Sequence, residues 1–269
     1  MDKKLFNKIR KIVYDKSGIN ISEKKEALVS SRTRKRMRKL NIDDYQEYFD
    51  YLKQDESGKE LVKFLDVIST NVTHFFRESE HFDFLADQFR KGIQQGQKKF
   101  RFWSAACSSG EEPYSMAMTL LEALNGESID FKILGTDIST AVLANAMNGL
   151  YVEKKMNKID KKLLKKYFIE ENNGSLKKYR ASNKLKRLIL FRRLNLSEIP
   201  FPIKSKMDII FCRNVMIYFD QYHRSRLLKE LYRLLKPGGY LITGHSESIT
   251  GINRNFEVVR PSIYYKKRY

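Results

Sequence analysis

Phe100-Arg-Phe-Trp-Ser-Ala-Ala-Cys-Ser-Ser-Gly-Glu-Glu-Pro-Tyr-Ser115 is the stretch on which the reading of the fold turns. Its first half, Phe100 to Ala106, is an apolar run of strand length. It falls into small residues at Ala106, Ser108, Ser109 and Gly110, and Pro113 suits the first turn of a helix, where a missing N–H costs nothing. Strand, small-residue turn and helix N-terminus are the parts with which an open α/β sheet holds a nucleotide-like ligand. Alone, the pattern equally fits an ordinary strand-to-helix connection, so the flanking sequence has to decide.

Downstream, short apolar strands alternate with helices. Phe131–Thr136 ends in Asp137, and Ser139 caps a helix that Gly149 stops. Met207–Cys212 ends in Arg213-Asn214. Asp220 caps a helix to Leu235, and Lys236-Pro-Gly-Gly239 turns into Tyr240–Thr243. Phe256–Val259 and Ser262–Tyr265 read as closing antiparallel strands. This alternation predicts an α/β, doubly wound parallel sheet over residues 98–269. One segment breaks the rhythm. Residues 151–193 hold a helix, Lys161–Phe168, and a hairpin-like pair, Lys177–Ala181 and Leu188–Phe191, near the turn signal Asn172-Asn-Gly-Ser. Too long for a plain loop, it reads as an inserted subdomain carrying a basic surface.

Upstream, the periodicity is helical. Leu5–Lys16 places Leu5, Phe6, Ile9, Ile12 and Val13 on one face, and a second helix runs from Ser22 to near Leu40. A third begins at Asp43 or Asp44, and a fourth follows a capping box at Ser57 and Glu60. Residues 1–70 thus form a helical domain. Residues 71–97 form a linker and connecting helix whose aromatic-rich start presents Asn71, Thr73 and Arg77; the lone His74 reads as a hydrogen-bonding residue rather than a catalyst.

The chain carries 52 Lys+Arg against 32 Asp+Glu, a net charge of +20. The excess is local. Residues 1–90 carry 19 against 16, whereas residues 151–193 carry 15 against 4. Six of the eight residues from Arg32 to Lys39 are cationic. Local charge suggests docking faces for an acidic partner. The N-terminus lacks the apolar core of a signal peptide and no apolar run approaches membrane-spanning length, so a cytoplasmic protein without membrane insertion is expected. Cys107 and Cys212 each end an apolar run and read as buried thiols, and no metal motif is present.

Ligands of a doubly wound sheet sit outside the carboxyl ends of its strands. The residues there are Ala106–Glu111, Asp137, Asn195-Leu196 and Arg213-Asn214. Asp137 suits a ribose diol. Only one glycine, Gly110, stands where dinucleotide folds use three, and Glu111 and Glu112 after it would repel a pyrophosphate. These features favour a cationic ligand without phosphates, and S-adenosylmethionine, with its sulfonium and ammonium, fits.

The motifs themselves are more specific. Ser104-Ala-Ala-Cys-Ser-Ser-Gly-Glu-Glu-Pro-Tyr-Ser115 resembles the signature of the CheR-type chemotaxis receptor methyltransferases, the protein-glutamate O-methyltransferases. So do Thr70-Asn-Val-Thr-His-Phe-Phe-Arg77, Gly135-Thr-Asp-Ile138, Phe211-Cys-Arg-Asn-Val-Met-Ile-Tyr-Phe219 and Leu235-Lys-Pro-Gly-Gly-Tyr-Leu-Ile-Thr-Gly-His-Ser-Glu247, in the family's order. The resemblance implies a Rossmann-like class I methyltransferase sheet behind an all-helical domain. It implies cofactor contacts from Asn71, Thr73, Arg77, Glu111, Asp137, Asn195, Leu196, Arg213 and Asn214, with S-adenosylhomocysteine as product. The basic helix bearing Arg32, Arg34, Arg36 and Arg38 resembles the family's receptor-docking helix. The insert resembles a β-subdomain that in some members grips a receptor tail peptide. The implied partner is the cytoplasmic helical region of a chemotaxis receptor, approached by a monomer.

A receptor glutamate, with a reference pKa of about 4.3, is ionised at neutral pH and needs no strong base to accept a methyl group. Alignment is then the main task. Arg77 or Arg213 is placed by sequence to orient the carboxylate, Tyr218 lies nearby, and no single catalytic side chain is assigned. Two other readings stay open at this point. One is a nucleic-acid methyltransferase, which the charge would suit but for the missing Asn/Asp-Pro-Pro-aromatic motif. The other is a non-catalytic sensor of S-adenosylmethionine.

Overall fold

The computed structural model describes residues 1–68, 72–173, 176–253 and 255–268. Helices α1 (Lys3–Ser17), α2 (Glu26–Arg38), α3 (Tyr45–Gln54) and α4 (Lys59–Ile68) enclose a core that includes Phe6, Ile9, Val13, Met37, Tyr48 and Phe64. Two local details differ from the sequence reading. Ser22 caps a short 3-10 turn, Glu23–Lys25, so α2 starts later than its cap predicts. At the start of α4 the capping box does not form. Asp55 accepts the Glu60 N–H at 2.5 Å, and the Glu60 side chain instead turns into the core.

The connecting helix α5 (Glu80–Gln94) leads to β1 (Lys99–Ala105), α6 (Glu111–Ala123), β2 (Asp130–Asp137) and α7 (Thr140–Asn148). The insert follows with β3 (Leu150–Val152), α8 (Glu153–Met156), α9 (Lys161–Tyr167), β4 (Phe168–Asn173) and β5 (Leu176–Ala181). The chain then runs through α10 (Asn183–Lys186), β6 (Ile189–Arg193), β7 (Met207–Cys212), α11 (Gln221–Leu234), β8 (Leu235–Thr243), β9 (Phe256–Arg260) and β10 (Ile263–Lys266).

Among the described residues the main sheet has the order β6-β2-β1-β7-β8-β10-β9. The first five strands are parallel, and β10 and β9 add antiparallel. Alternation along the central strands feeds two cores. Phe100 and Phe102 of β1 and Phe211 of β7 pack with α5 and α6. Trp103 and Ala105 of β1 and Ile210 of β7 pack with α11 on the other side. The strand order reverses between β1 and β7, so a crevice opens at their carboxyl ends.

The insert is a separate antiparallel sheet, β3-β5-β4. Here the expected hairpin is corrected. Lys177–Ala181 pairs with Phe168–Asn173, whereas Ile189–Arg193 is the parallel edge strand of the main sheet, in register with β2. The reason is burial: Ile189 and Phe191 point into the main core, where their alternation was free to serve either sheet. Of the turn signal, Gly174 and Ser175 lie outside the described residues. The linker's Phe75 is fully buried, edge-on to Tyr151 at 5.0 Å and Phe168 at 5.7 Å, and so ties the insert to the main domain.

The helical domain sits over the carboxyl edge of the sheet. Tyr14 donates to Asp220 at 2.5 Å, the Asn20 N–H to the Tyr218 carbonyl at 2.8 Å, and Asn195 to the Lys16 carbonyl at 2.7 Å. No helix of the described residues is long and apolar enough to cross a membrane.

Candidate active site

The turn after β1 is strained. Ala106 and Ser108 hold φ of 65° and 49°, unusual for residues bearing a Cβ, and Gly110 follows at 93°. Gly110 is required twice over: its φ is left-handed, and a Cβ there would lie 2.8 Å from that of Ala146. The turn is pinned to β2, since the Cys107 N–H meets the Thr136 carbonyl at 2.8 Å and the Ser108 N–H meets Asp137 at 2.9 Å.

Beside this turn lies a cavity that opens to solvent. The sheet side supplies Ser108, Glu112, Asp137, Leu196, Arg213 and Asn214, and the helical domain supplies Ile19, Ile21, Leu28 and Val29. The linker contributes Thr73, His74 and Arg77. The docked helical domain is therefore one wall of the site, which no motif in the sequence announces.

The predicted residues distribute as follows. Thr73, Arg77, Asp137, Asn195, Leu196, Arg213 and Asn214 line this one cavity; Asn71 lies outside the described residues. Glu111 does not line it. Its carboxylate is fully buried on the opposite side of the turn, held by Lys155 of the insert at 2.5 Å and by Ser109. At a helix N-terminus adjacent residues point about 100° apart, so only one of the two acids can face the crevice. Glu112 is that acid. Of the docking arginines, Arg34 and Arg38 are exposed, and Arg32 is half-buried with its guanidinium on the Ile68 carbonyl at 2.7 Å. Arg36 is a correction: it is buried and bidentate to Glu60, and so belongs to the helical core rather than a docking face.

Asp137, at the carboxyl end of β2, accepts the Ser108 and Ser139 N–H groups at 2.9 Å each. Burial pushes its carboxyl up and the backbone donors oppose this. Backbone donors from Ser108, Ser139 and Ile138 act on it, and it lines the cavity. Asn195 is fully engaged. Its amide donates to the Lys16 carbonyl and to Glu198, and its oxygen accepts from Ser197. Its side chain fastens the helical domain in place.

Arg213 is the centre of a buried network. It donates to Glu112 at 2.8 Å, to Glu78 at 3.0 Å and to the Arg77 carbonyl, and lies over the rings of Phe82 and Phe211. Its buried Nε has no hydrogen-bond partner. The Arg213 side chain is 1% exposed and fixed by these partners, whereas Arg77, one-third exposed and bonded to the Val72 carbonyl, is the more open of the two cavity arginines. Burial raises the Glu112 carboxyl against the pull of Arg213. For Glu78 burial acts in the same sense, but the Arg213 charge and the hydrogen bonds from Arg213 and Asn214 prevail, and the group lies below its ordinary value. Glu78 and Asn214 both have positive φ, 56° and 58°. Glu247 stabilises the second of these by accepting the Asn214, Gly244 and Ile217 N–H groups.

Sequence reasoning missed Glu78 and Glu247 as parts of this site. Glu78 adjoins Arg77 and Glu247 ends a quoted motif, but only the αL backbone and the return of β8 show what each holds. Cys107 and Cys212 are buried free thiols, as expected. Tyr218 is half-buried on the cavity wall beneath Lys25.

The cavity presents a buried acid in Asp137, an apolar slot from Ile138, Leu194 and Leu196, and a second acid in Glu112. Comparison with known proteins gives the family. Residues 71–265 match the family model "CheR methyltransferase, SAM binding domain" and residues 4–69 match "CheR methyltransferase, all-alpha domain". The chemotaxis protein methyltransferase of Borreliella burgdorferi is 41% identical over 267 residues, spanning 97% of this chain and 93% of that relative. Chemotaxis protein methyltransferase 2 of Pseudomonas aeruginosa is 39% identical, covering 96% and 91%, and the Escherichia coli chemotaxis protein methyltransferase is 36% identical, covering 96% and 88%. A helical domain closing the crevice of a doubly wound sheet, with both family models aligned to those two parts, leaves one conclusion: this chain belongs to the CheR methyltransferase family and is an S-adenosylmethionine-dependent methyltransferase of chemotactic adaptation.

Proposed function

We propose that the methyl acceptor is the side-chain carboxylate of glutamate on a chemotaxis receptor, so that the product is a γ-methyl ester. The observation that carries this reading is the contrast between the two cavity arginines. Arg213 is 1% exposed and held by two carboxylates and a carbonyl, whereas Arg77 stands one-third exposed beside the same crevice. A guanidinium in that state orients an incoming carboxylate. It also leaves a nucleophile already ionised at neutral pH with no need of a base.

S-adenosylmethionine bound in the cavity supplies an electrophilic methyl group. The chain's own residues then bind and align. Asp137 takes the ribose diol, Thr73 and Arg77 lie on the linker side, and Glu112 with Arg213 and Asn214 forms the rigid wall of the transfer side. Tyr218, on the wall between the two domains, is the candidate hydrogen-bond donor to the acceptor. The exposed Arg34, Lys35 and Arg38 on α2 and Lys39 just after it, on the helix that carries the cavity-lining Leu28 and Val29, offer a cationic approach for an acidic receptor helix. The basic insert offers a second.

The test is transfer of labelled methyl from S-adenosylmethionine to receptor-containing membranes. Label that is released as methanol by mild base supports a glutamyl ester. Base-stable label, or label incorporated into nucleic acid, overturns it.

A further inference from the structure

We propose that Glu78, His81 and His245 form a binding site for a divalent transition-metal ion, set directly behind Arg213. The three residues come from the end of the linker, the start of α5 and the turn after β8, so no sequence motif joins them. One donor atom from each lies within 4.8 Å of the others.

The argument begins with the His81 hydrogens. Ser262 has a single hydroxyl hydrogen, and it goes to the Pro261 carbonyl at 2.6 Å. With the hydroxyl so directed, the Ser262 oxygen accepts from His81 Nε2 across their 2.7 Å contact. In the neutral ring Nε2 carries the proton and Nδ1 presents a lone pair. His81 is 1% exposed, and its Nδ1 has no hydrogen-bond partner. What Nδ1 faces is Glu78 Oε2, 3.5 Å away. In that tautomer the Nδ1 lone pair faces a carboxylate oxygen that Arg213 also holds at 3.0 Å, and a cation ligated by both atoms would give Nδ1 the partner it lacks.

The spacing suits a metal. Tetrahedral zinc with bonds of about 2.0–2.1 Å sets its donor atoms roughly 3.3 Å apart, close to the 3.5 Å found here. His245, within 4.8 Å of the other donors, has to move inward, which its 56% exposed side chain permits. Glu80 accepts from His245 and is placed as the outer carboxylate that orients a ligating imidazole. Two imidazoles and one carboxylate select zinc, cobalt or nickel over magnesium or calcium. The remaining coordination position falls to water.

The site also touches the active centre. Glu78 Oε2 holds Arg213, and Glu78 Oε1 holds Asn214 at 3.3 Å. Drawing Glu78 toward a metal weakens both, so occupancy should slow methyl transfer without occupying the cofactor cavity.

The test is titration of the full-length protein with Co²⁺, following the visible d–d bands of a four- or five-coordinate ion, with Zn²⁺ as competitor. The expected result is a saturable one-to-one spectrum, weakened at least tenfold in affinity by His245→Ala and unchanged by His74→Ala. Because the readout is spectroscopic, it is independent of the identity of the methyl acceptor. A spectrum of octahedral aqueous type, or equal affinity in wild type and His245→Ala, overturns the proposal.

Discussion

Replacing Arg36 by alanine should destabilise the helical domain by about 3–5 kcal/mol, the cost of leaving a buried charge without its partner. The structure supplies the reason for a value of that size. Arg36 Nε and Nη2 meet the two Glu60 oxygens at 2.8 and 2.5 Å, and Tyr48 adds a hydrogen bond at 2.9 Å. Arg36 is 9% exposed and Glu60 4%. Without the guanidinium, the Glu60 carboxylate keeps, among the described residues, the tyrosine hydroxyl. A loss of that size is a large part of the total stability of a typical domain, about 5–15 kcal/mol. Urea denaturation followed by far-ultraviolet circular dichroism measures it as a fall in midpoint. The double variant Arg36→Met, Glu60→Gln, which removes the buried charges together, should recover much of the loss. A midpoint for Arg36→Ala equivalent to less than about 1 kcal/mol of destabilisation would refute the reasoning, because the pair would then be behaving as an exposed one.

By contrast, Arg34→Glu with Arg38→Glu changes exposed residues on the same helix; receptor methylation should fall while cofactor affinity by calorimetry and the urea midpoint stay near wild type. Asp137→Ala should weaken S-adenosylmethionine binding by about 1–3 kcal/mol, the scale of a lost hydrogen bond to a charged acceptor; unchanged calorimetric affinity removes Asp137 from the site. Gly110→Ala forces a Cβ into 2.8 Å contact with Ala146 at a left-handed φ, and should cost about 1–3 kcal/mol of stability along with cofactor affinity. At Asp220 burial pushes the carboxyl up, but the His223 N–H, the Tyr14 hydroxyl and the His223 ring outweigh it and hold the value at about 2, below the ordinary 3.8. A depressed carboxyl stabilises fully above its unfolded value and loses that contribution as pH falls through the folded one. The Tyr14–Asp220 clasp between the domains should therefore weaken as pH drops from about 4 to about 2, and Asp220→Asn should flatten that part of the acid-unfolding curve.

The sequence alone determined the rhythm of the chain: amphipathic helices first, then strands alternating with helices, with a charged interruption. These are local matters of period, capping and turn chemistry, and they carry the doubly wound sheet and the places where strands end. They placed Asp137 and Arg213-Asn214 at carboxyl ends of strands, and the structure brings these together in one cavity. Other assignments were decided only by tertiary structure. Glu111 and Glu112 are adjacent identical residues, and the insert's Lys155 draws one away while Arg213 engages the other. Arg36 stands in a run of like charges, yet the helix phase turns it to Glu60. Leu188–Phe191 alternates as a hairpin strand would, but its buried side chains fit only the main core beside β2. Asn195, expected beside the cofactor, spends its side chain on holding the helical domain. In each case the residue type allows two partners, and the choice belongs to elements far away in the chain, whose approach is set by packing rather than by any local signal.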